Sequence, residues 1–475
     1  MKKLVNSFFW DFSGRLSSQL ASFIVGIILA RLLSPSDYGL IGISISFITF
    51  FNLFLNLGLS SALVQKKEIN EKHLSSSFFL NLIASFSIAF ILFLTAHLIA
   101  NFFDEIKLEL IIKFLSLGLI IGGLTIVQEA ILRKEMKFKI LSKARLFSTI
   151  VSGLVGVYLA FSGFGVWSLV VQHLLNLFIR SVFYWVNSQW RPKGVFSLSA
   201  LKELWSFGFN MFLSSLLFIT SNQISTLLIA KLFSPFELGL FSRAKNLNEF
   251  VYRYSSESIS SVSFPQMAKI QDNRSRMIML GLKSEELIVF LSFGLLGLMY
   301  ATSESLILTL LGKKWVDAIE IYKLLCLSGF VYPLSVATLS MIKAAGYSKV
   351  NLKIEVIKSI VTFLGLIIGF IFGLKGYLIS LIFTGIIIIN INYYFSSKTL
   401  HYKIYHHYKI LSIYLVITIS VTYLVTLLKI NFESSLWTLL FNTALFMTIY
   451  FFINKIFYAH GIRLAQNQIL KLLKR

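Results

Sequence analysis

Ala30-Arg31-Leu32-Leu33-Ser34-Pro35-Ser36-Asp37-Tyr38-Gly39-Leu40 returns 200 residues later as Ala230-Lys231-Leu232-Phe233-Ser234-Pro235-Phe236-Glu237-Leu238-Gly239-Leu240. Six of the eleven positions are identical, and the Arg/Lys and Asp/Glu exchanges keep their charge. An apolar run precedes and follows each copy. The chain therefore reads as two related halves, each opening with two membrane helices joined by a tight Ser-Pro turn. Self-similarity at long period fixes the architecture before any finer reading. In a membrane protein such repeats mark transporters, with the substrate site between the halves.

Composition agrees with a bilayer as solvent. Of 475 residues, 56% are hydrophobic and 14% charged, whereas a water-soluble domain is about a quarter charged. Aromatics make up 15%, 46 of them Phe, as suits lipid-facing helices with Trp and Tyr near the headgroups. The single cysteine, Cys326, excludes an internal disulfide and a cysteine metal cage, and its apolar surroundings predict a packed thiol. Met1-Lys2-Lys3 resembles a secretory start. Asp11 and Arg15 interrupt the apolar segment after it, however, and no small-x-small cleavage site appears, which predicts a retained first helix.

A spanning helix needs roughly 20 mostly apolar residues. That rule places segments near 7–32, 38–64, 74–101, 108–132, 140–161, 165–187, 202–231, 237–268, 278–302, 319–345, 352–373, 376–396, 410–428 and 435–456. The expected fold is all-α, with about 14 transmembrane helices in two parallel, pseudo-twofold six-helix lobes and a C-terminal pair. The lobes are 1–198 and 199–400; 401–475 holds the last two helices and an interfacial helix over 462–475. Basic residues cluster in alternate connections, such as Arg133, Lys134, Lys137 and Lys139. The turn 161–165 between the fifth and sixth segments has no charge. Positive charge in short loops marks the cytoplasmic side, so both termini are expected inside. The formal charge of +23 is then explained by topology and anionic lipid, without nucleic acid as a partner.

Ionisable groups within membrane helices are costly and usually face a cavity or a partner. The first segment carries Asp11, Arg15 and Gln19 four residues apart, on one face. The eighth is the most polar, holding Arg243, Lys245, Asn246, Asn248, Glu249, Tyr252, Arg253 and Glu257. Lys245, Glu249, Arg253 and Glu257 form an i, i+4 column of alternating sign. It reads as a self-neutralised ladder, yet with Arg243 the helix keeps net positive charge and should line a hydrated interior. Elsewhere, Lys283, Glu285 and Glu286 are expected within reach of water, Lys113 and Glu129 to extend toward opposite interfaces, and Glu355 and Lys358 to pair. His401, His406 and His407 read as part of a solvated basic loop rather than a metal site.

Catalytic signals are weak. No His-Glu-x-x-His, phosphate-binding Gly-rich loop or Gly-x-Ser-x-Gly occurs, and no extramembrane segment has room for an active-site domain. The expectation is a non-enzyme with no catalytic residues, no metal and no cofactor.

Residues 13–64, with the first copy of the motif, resemble bacterial polysaccharide flippases of the lipopolysaccharide-biosynthesis type. So does Ile131-Leu132-Arg133-Lys134-Glu135-Met136-Lys137-Phe138. These belong to the multidrug/oligosaccharidyl-lipid/polysaccharide exporter superfamily. The resemblance covers most of the chain, clearest over the first eight segments and fading after about residue 400. It implies a flippase of the bacterial cytoplasmic membrane. Such a protein carries undecaprenyl-diphosphate-linked oligosaccharide between leaflets by alternating access, for O-antigen, capsule or exopolysaccharide assembly. Arg15, Gln19, Arg243, Lys245, Tyr252 and Arg253 are then the candidate substrate contacts. Glu249, Glu257 and Asp11 are candidates for binding a coupling H⁺ or Na⁺. Implied partners are the lipid-linked oligosaccharide, membrane lipids, and the polysaccharide polymerase and glycosyltransferases. Competing readings are a drug or organic-cation antiporter of the same superfamily, a membrane-embedded polymerase or glycosyltransferase, and a non-transporting scaffold.

Overall fold

The computed structural model describes the backbone of residues 2–66, 68–428 and 430–457. Side chains are described there except at 2–12, 15, 56, 65, 206–208, 210–211, 213–215, 217–218, 221–222, 250–254, 348 and 457. The expected terminal helix over 462–475 lies outside the described residues. No strand occurs among the described residues, and a helix or consecutive pair of helices occupies each of the fourteen expected segments. Among the described residues, ten helices are long and apolar enough to cross a bilayer, and the chain is a multi-pass membrane protein.

Two compact units divide the chain, Met1–Ser242 and Arg243–Arg475. The first contains α1 (Lys2–Leu32), α2 (Pro35–Asn56), α3 (Leu59–Gln65), α4 (Glu71–Phe102), α5 (Lys107–Lys134), α6 (Phe138–Phe161), α7 (Trp167–Asn187), α8 (Leu198–Leu232) and the start of α9 (Pro235–Lys269). In it α1 packs on α6, α4 on α5, α7 on both α5 and α6, and α2 on α5 and α8. The expected single helix over 38–64 is broken. Leu57 and Gly58 both adopt left-handed backbone, with φ of 42° and 73°, which ends α2 and restarts the chain as α3.

The repeated motif has a structural job at each position. Ser34 caps α2: its hydroxyl accepts the Asp37 N–H at 3.2 Å, and the Asp37 carboxylate accepts the Ser34 N–H at 2.9 Å. This reciprocal capping box satisfies amide groups that the first helical turn leaves without partners. Pro35 opens the helix, where its missing N–H costs nothing. In the second copy Ser234 accepts the Glu237 N–H at 3.1 Å. The two motifs also meet. A Cβ built on Gly39 would fall 1.8 Å from the Pro235 carbonyl oxygen, and one on Gly239 would fall 1.8 Å from the Pro35 carbonyl oxygen. Backbone rests directly on backbone, and the contact is reciprocal, as a local twofold axis between the copies requires.

The second unit holds the rest of α9, then α10 (Arg274–Ala301), α11 (Ser303–Leu310), α12 (Ala318–Gly329), α13 (Val331–Ala344), α14 (Ser348–Ile371), α15 (Gly373–Leu400), α16 (Tyr405–Leu427) and α17 (Ser435–Phe457). The α10–α11 pair bends by 76° and makes an eleventh apolar span if counted as one. The connection expected over 303–318 is therefore not open loop; it carries α11 and a short turn whose Trp315 is fully buried. α10 is the hub, packing on α12, α13, α16 and α17. Its Phe290 and Phe293 sit in a core with Tyr393, Tyr414, Phe446 and Tyr450. Cys326 is buried, as its apolar context predicts.

Candidate functional site

α9 is built as a two-faced helix. One face is knit into the second unit by short polar side chains. Asn248 donates to the Leu325 carbonyl of α12 at 2.6 Å, the Ser255 and Ser292 hydroxyls meet at 2.7 Å, and Ser260 meets Ser340 of α13 at 2.7 Å. Small hydroxyl and amide groups let membrane helices approach closely and replace the water they lose. Lys245 and Glu249, both half-buried, stand 3.9 Å apart across one turn. Arg243 is also half-buried. Glu257 is exposed and accepts the Tyr332 hydroxyl at 2.6 Å.

Of the residues singled out from sequence, the structure thus brings together Lys245 and Glu249. Gln19 is exposed on α1. The side chains of Asp11, Arg15, Tyr252 and Arg253 lie outside the described residues. Among the described residues no group of three or more His, Cys, Asp or Glu is arranged to hold a metal.

Other charges singled out from sequence have partners or lie buried. Lys113 pairs with Glu109 at 2.6 Å, and Glu129 pairs with Arg133 at 2.5 Å. Lys358 and Glu355 do pair, at 3.3 Å. Glu285 and Glu286 are not open to water: both are buried, as is His407, which is not part of a solvated loop. Glu285 and His407 lie 122 residues apart in sequence, and only the packing of α10 on α16 brings them together.

Sequence reading also missed a groove. Within the second unit, α10, α12, α13, α15 and α16 enclose a cavity of about 690 Å³. Phe293, Leu334, Ile386 and Leu415 give it apolar walls. Thr418 and Thr422 line it partway along α16, and its other polar groups stand toward the ends. Lys323 lines it with Tyr300 and Thr426, in the last turns of α10 and α16, while Asn390 lines it with Tyr408, in the first turn of α16. An apolar trough with a cation at one end is shaped for an amphiphile with a long hydrocarbon part and an anionic head. A run of apolar residues on spanning helices carries no sequence signal for such a trough, because core-facing and lipid-facing positions share the same composition.

At the start of α8, Glu203 holds two other elements. Its carboxylate accepts from Lys66 at 2.5 Å and lies 3.1 Å from the His73 imidazole. The Lys66 ammonium, with help from His73, holds the Glu203 carboxyl below the usual carboxylate range.

Comparison with known proteins places the chain in a family. A family model described as polysaccharide biosynthesis protein matches residues 28–320. The teichuronic acid biosynthesis protein TuaB of Bacillus subtilis is 26% identical over 302 residues, 62% of either chain. The succinoglycan biosynthesis transport protein ExoT of Rhizobium meliloti is 27% identical over 333 residues, 69% of this chain and 66% of its own. Thus the match spans about two thirds of each relative's length. Among solved structures, the lipid II flippase MurJ in an inward closed conformation superposes with a TM-score of 0.76 at 16% identity, covering 96% of this chain and 100% of its own. That likeness establishes a shared fold.

Proposed function

We propose, for a chain that belongs to the polysaccharide biosynthesis protein family, that it is a flippase for undecaprenyl-diphosphate-linked oligosaccharide. The apolar groove with Lys323 at one end is the observation that carries this reading. A polyprenyl chain is apolar and long, and its diphosphate cannot cross hydrocarbon without partners that replace its water. Guanidinium and ammonium groups supply that replacement through charge-assisted hydrogen bonds. Arg243 and Lys245 of α9, with Arg15, Gln19, Tyr252 and Arg253, are assigned to the diphosphate-sugar headgroup. The polyprenyl tail lies in the groove.

In this reading the repeat halves act as lobes over 1–198 and 199–400 that alternate access to the two sides of the cytoplasmic membrane. Residues 401–475 add the last helices, and both termini are cytoplasmic. Glu249, Glu257 and Asp11 are assigned to binding an H⁺ or Na⁺ that resets the lobes. The polysaccharide polymerase and glycosyltransferases are the downstream and upstream partners.

The test is deletion in a cell with no redundant carrier, followed by leaflet-specific labelling of lipid-linked oligosaccharide. Oligosaccharide trapped on the cytoplasmic leaflet, released by the wild-type gene, is the expected result. Normal surface polysaccharide in the deletion strain would overturn the assignment.

A further inference from the structure

The second unit buries a chain of ionisable groups that the transport reading leaves unused. Glu285 of α10 and His407 of α16 are each fully buried, with Oε2 and Nδ1 2.6 Å apart. On its other side, His407 Nε2 meets the Tyr402 hydroxyl, which lies 2.7 Å from the Ser396 hydroxyl. The Tyr393 ring stacks on the imidazole at 4.3 Å, nearly parallel. The Tyr393 hydroxyl also faces the Glu285 carboxylate. Isolated ionisable groups of this kind are expensive to bury, so a place holding both acid and base is a functional candidate.

The surroundings leave this pair as the only buried acid–base couple among the described residues packed on α10. The neighbouring Glu286 is engaged by the Tyr414 hydroxyl at 3.2 Å. Tyr408 donates to Asn390 and meets Tyr393 edge-on. On the other elements packed against the pair, the charged groups Glu257 and Lys269 of α9, Glu304 of α11, Glu320 of α12, Lys343 of α13, Lys398 of α15 and Lys455 of α17 are exposed, and Lys245 and Glu249 of α9 are half-buried. Lys323 of α12 is half-buried at the far end of the groove. Lys283 on α10 and Lys403 and Lys409 beside α16 are exposed too.

The geometry points to a proton-binding site at Glu285 and His407 whose occupancy sets the width of the apolar groove. With one proton on the imidazole, Nδ1–H donates to the Glu285 carboxylate, Nε2 accepts the Tyr402 O–H, and the Tyr402 oxygen accepts the Ser396 O–H. A second proton reaching Nε2 reverses the two hydroxyls: Nε2–H donates to the Tyr402 oxygen, and the Tyr402 O–H donates to Ser396. No heavy atom need move for the proton to enter along this chain, and Tyr402 is only half-buried in the connection before α16. The added proton turns a hydrogen bond into an ion pair, which binds α16 more strongly to α10. Those two helices pack directly on each other, and both line the groove. Phe293 stands two turns beyond Glu285, and Tyr408 is the residue after His407. Proton binding therefore draws the walls together at that end, and proton release loosens them.

The coupling rests on the groove being the polyprenyl site, so two measurements separate the claims. In nanodiscs, selective ¹⁵N-histidine labelling of the full chain, with His407→Gln to identify the signal, reads the proton site alone. The His407 nitrogen signals are expected to depend on pH over the range in which the protein stays folded, and the midpoint is expected to move in Glu285→Gln. A signal that stays flat over that range overturns the site. Photocrosslinking of a benzophenone-tagged polyprenol, which has no titrating group, reads the groove. Its apparent affinity is expected to rise with pH, by up to about tenfold per unit for one linked proton. The dependence should flatten in Glu285→Gln, His407→Gln and Tyr402→Phe. Wild-type pH dependence retained in all three variants overturns the coupling. No crosslinking at any pH overturns the groove assignment and the coupling with it, and the nitrogen shifts still judge the proton site.

Discussion

Gly39 rests its α-carbon against the carbonyl of Pro235, 196 residues away in the chain, and Gly239 repeats the contact on Pro35. Each motif supplies both halves of the pair: a proline that opens a helix and a glycine one turn later that lets the other helix in. The two copies are therefore kept alike by touching each other. Any side chain at either glycine would have to displace main chain rather than a flexible side-chain tip.

Gly39→Ala and Gly239→Ala should each lower stability in detergent by about 1–3 kcal/mol, the usual cost of overpacking a rigid contact. Gly194→Ala is the control, because nothing lies within 4 Å of a Cβ there. Thermal melts of the three variants decide it, and equal melting of Gly39→Ala and Gly194→Ala would contradict the contact.

Glu203 should make the protein less stable toward acid. Its carboxyl is held below the usual range in the folded state, mainly by the Lys66 hydrogen bond. The group thus contributes stability above the unfolded carboxyl pKa, and that contribution fades as pH falls through the folded value. Glu203→Gln should melt earlier than wild type at pH 7, with the difference closing on acidification. The effect is expected to be small because the side chain is half exposed. A gap that stays constant down to acid pH would remove the ion pair as its cause.

Leu415→Trp should fill the groove and reduce flipping at least tenfold without a comparable loss of melting temperature. Leu415 lines the cavity and is only half-buried, so added volume goes into empty space before it meets packed core. A leaflet assay in reconstituted vesicles reads the effect. Full transport in a stable Leu415→Trp protein would rule the groove out as the tail site.

Arg243→Ala combined with Lys245→Ala should cut transport by about tenfold or more, as expected when charge-assisted contacts to a phosphate are lost. Arg243→Lys should recover only part of the loss, since an ammonium lacks the planar two-point geometry of guanidinium. Unchanged rates in the double variant would take α9 out of headgroup binding.

Much of the site was not legible in the chain, and the reasons are physical. The polarity of α9 is plain in sequence, because Lys245 and Glu249 are a turn apart and pair locally. The burial of Glu285 and His407 is not. His407 sits at a helix start among lysines and tyrosines, and Glu285 stands beside Lys283 and Glu286, settings that read as wet; α16 closing on α10 excludes water from both. The break between α2 and α3 had one visible sign, Gly58. Leu57 in left-handed backbone beside it is a tertiary compromise with no signature of its own.

Sequence alone determined the membrane class, the helical segments and the repeat, because length, apolar content and Ser-Pro capping are local properties. Tertiary structure alone decided that the two motifs interlock through bare glycines, that a groove opens between helices of uniform apolar composition, and that an acid and a base meet without water. Those outcomes depend on which faces pack together, and many different packings are compatible with one pattern of apolar helices.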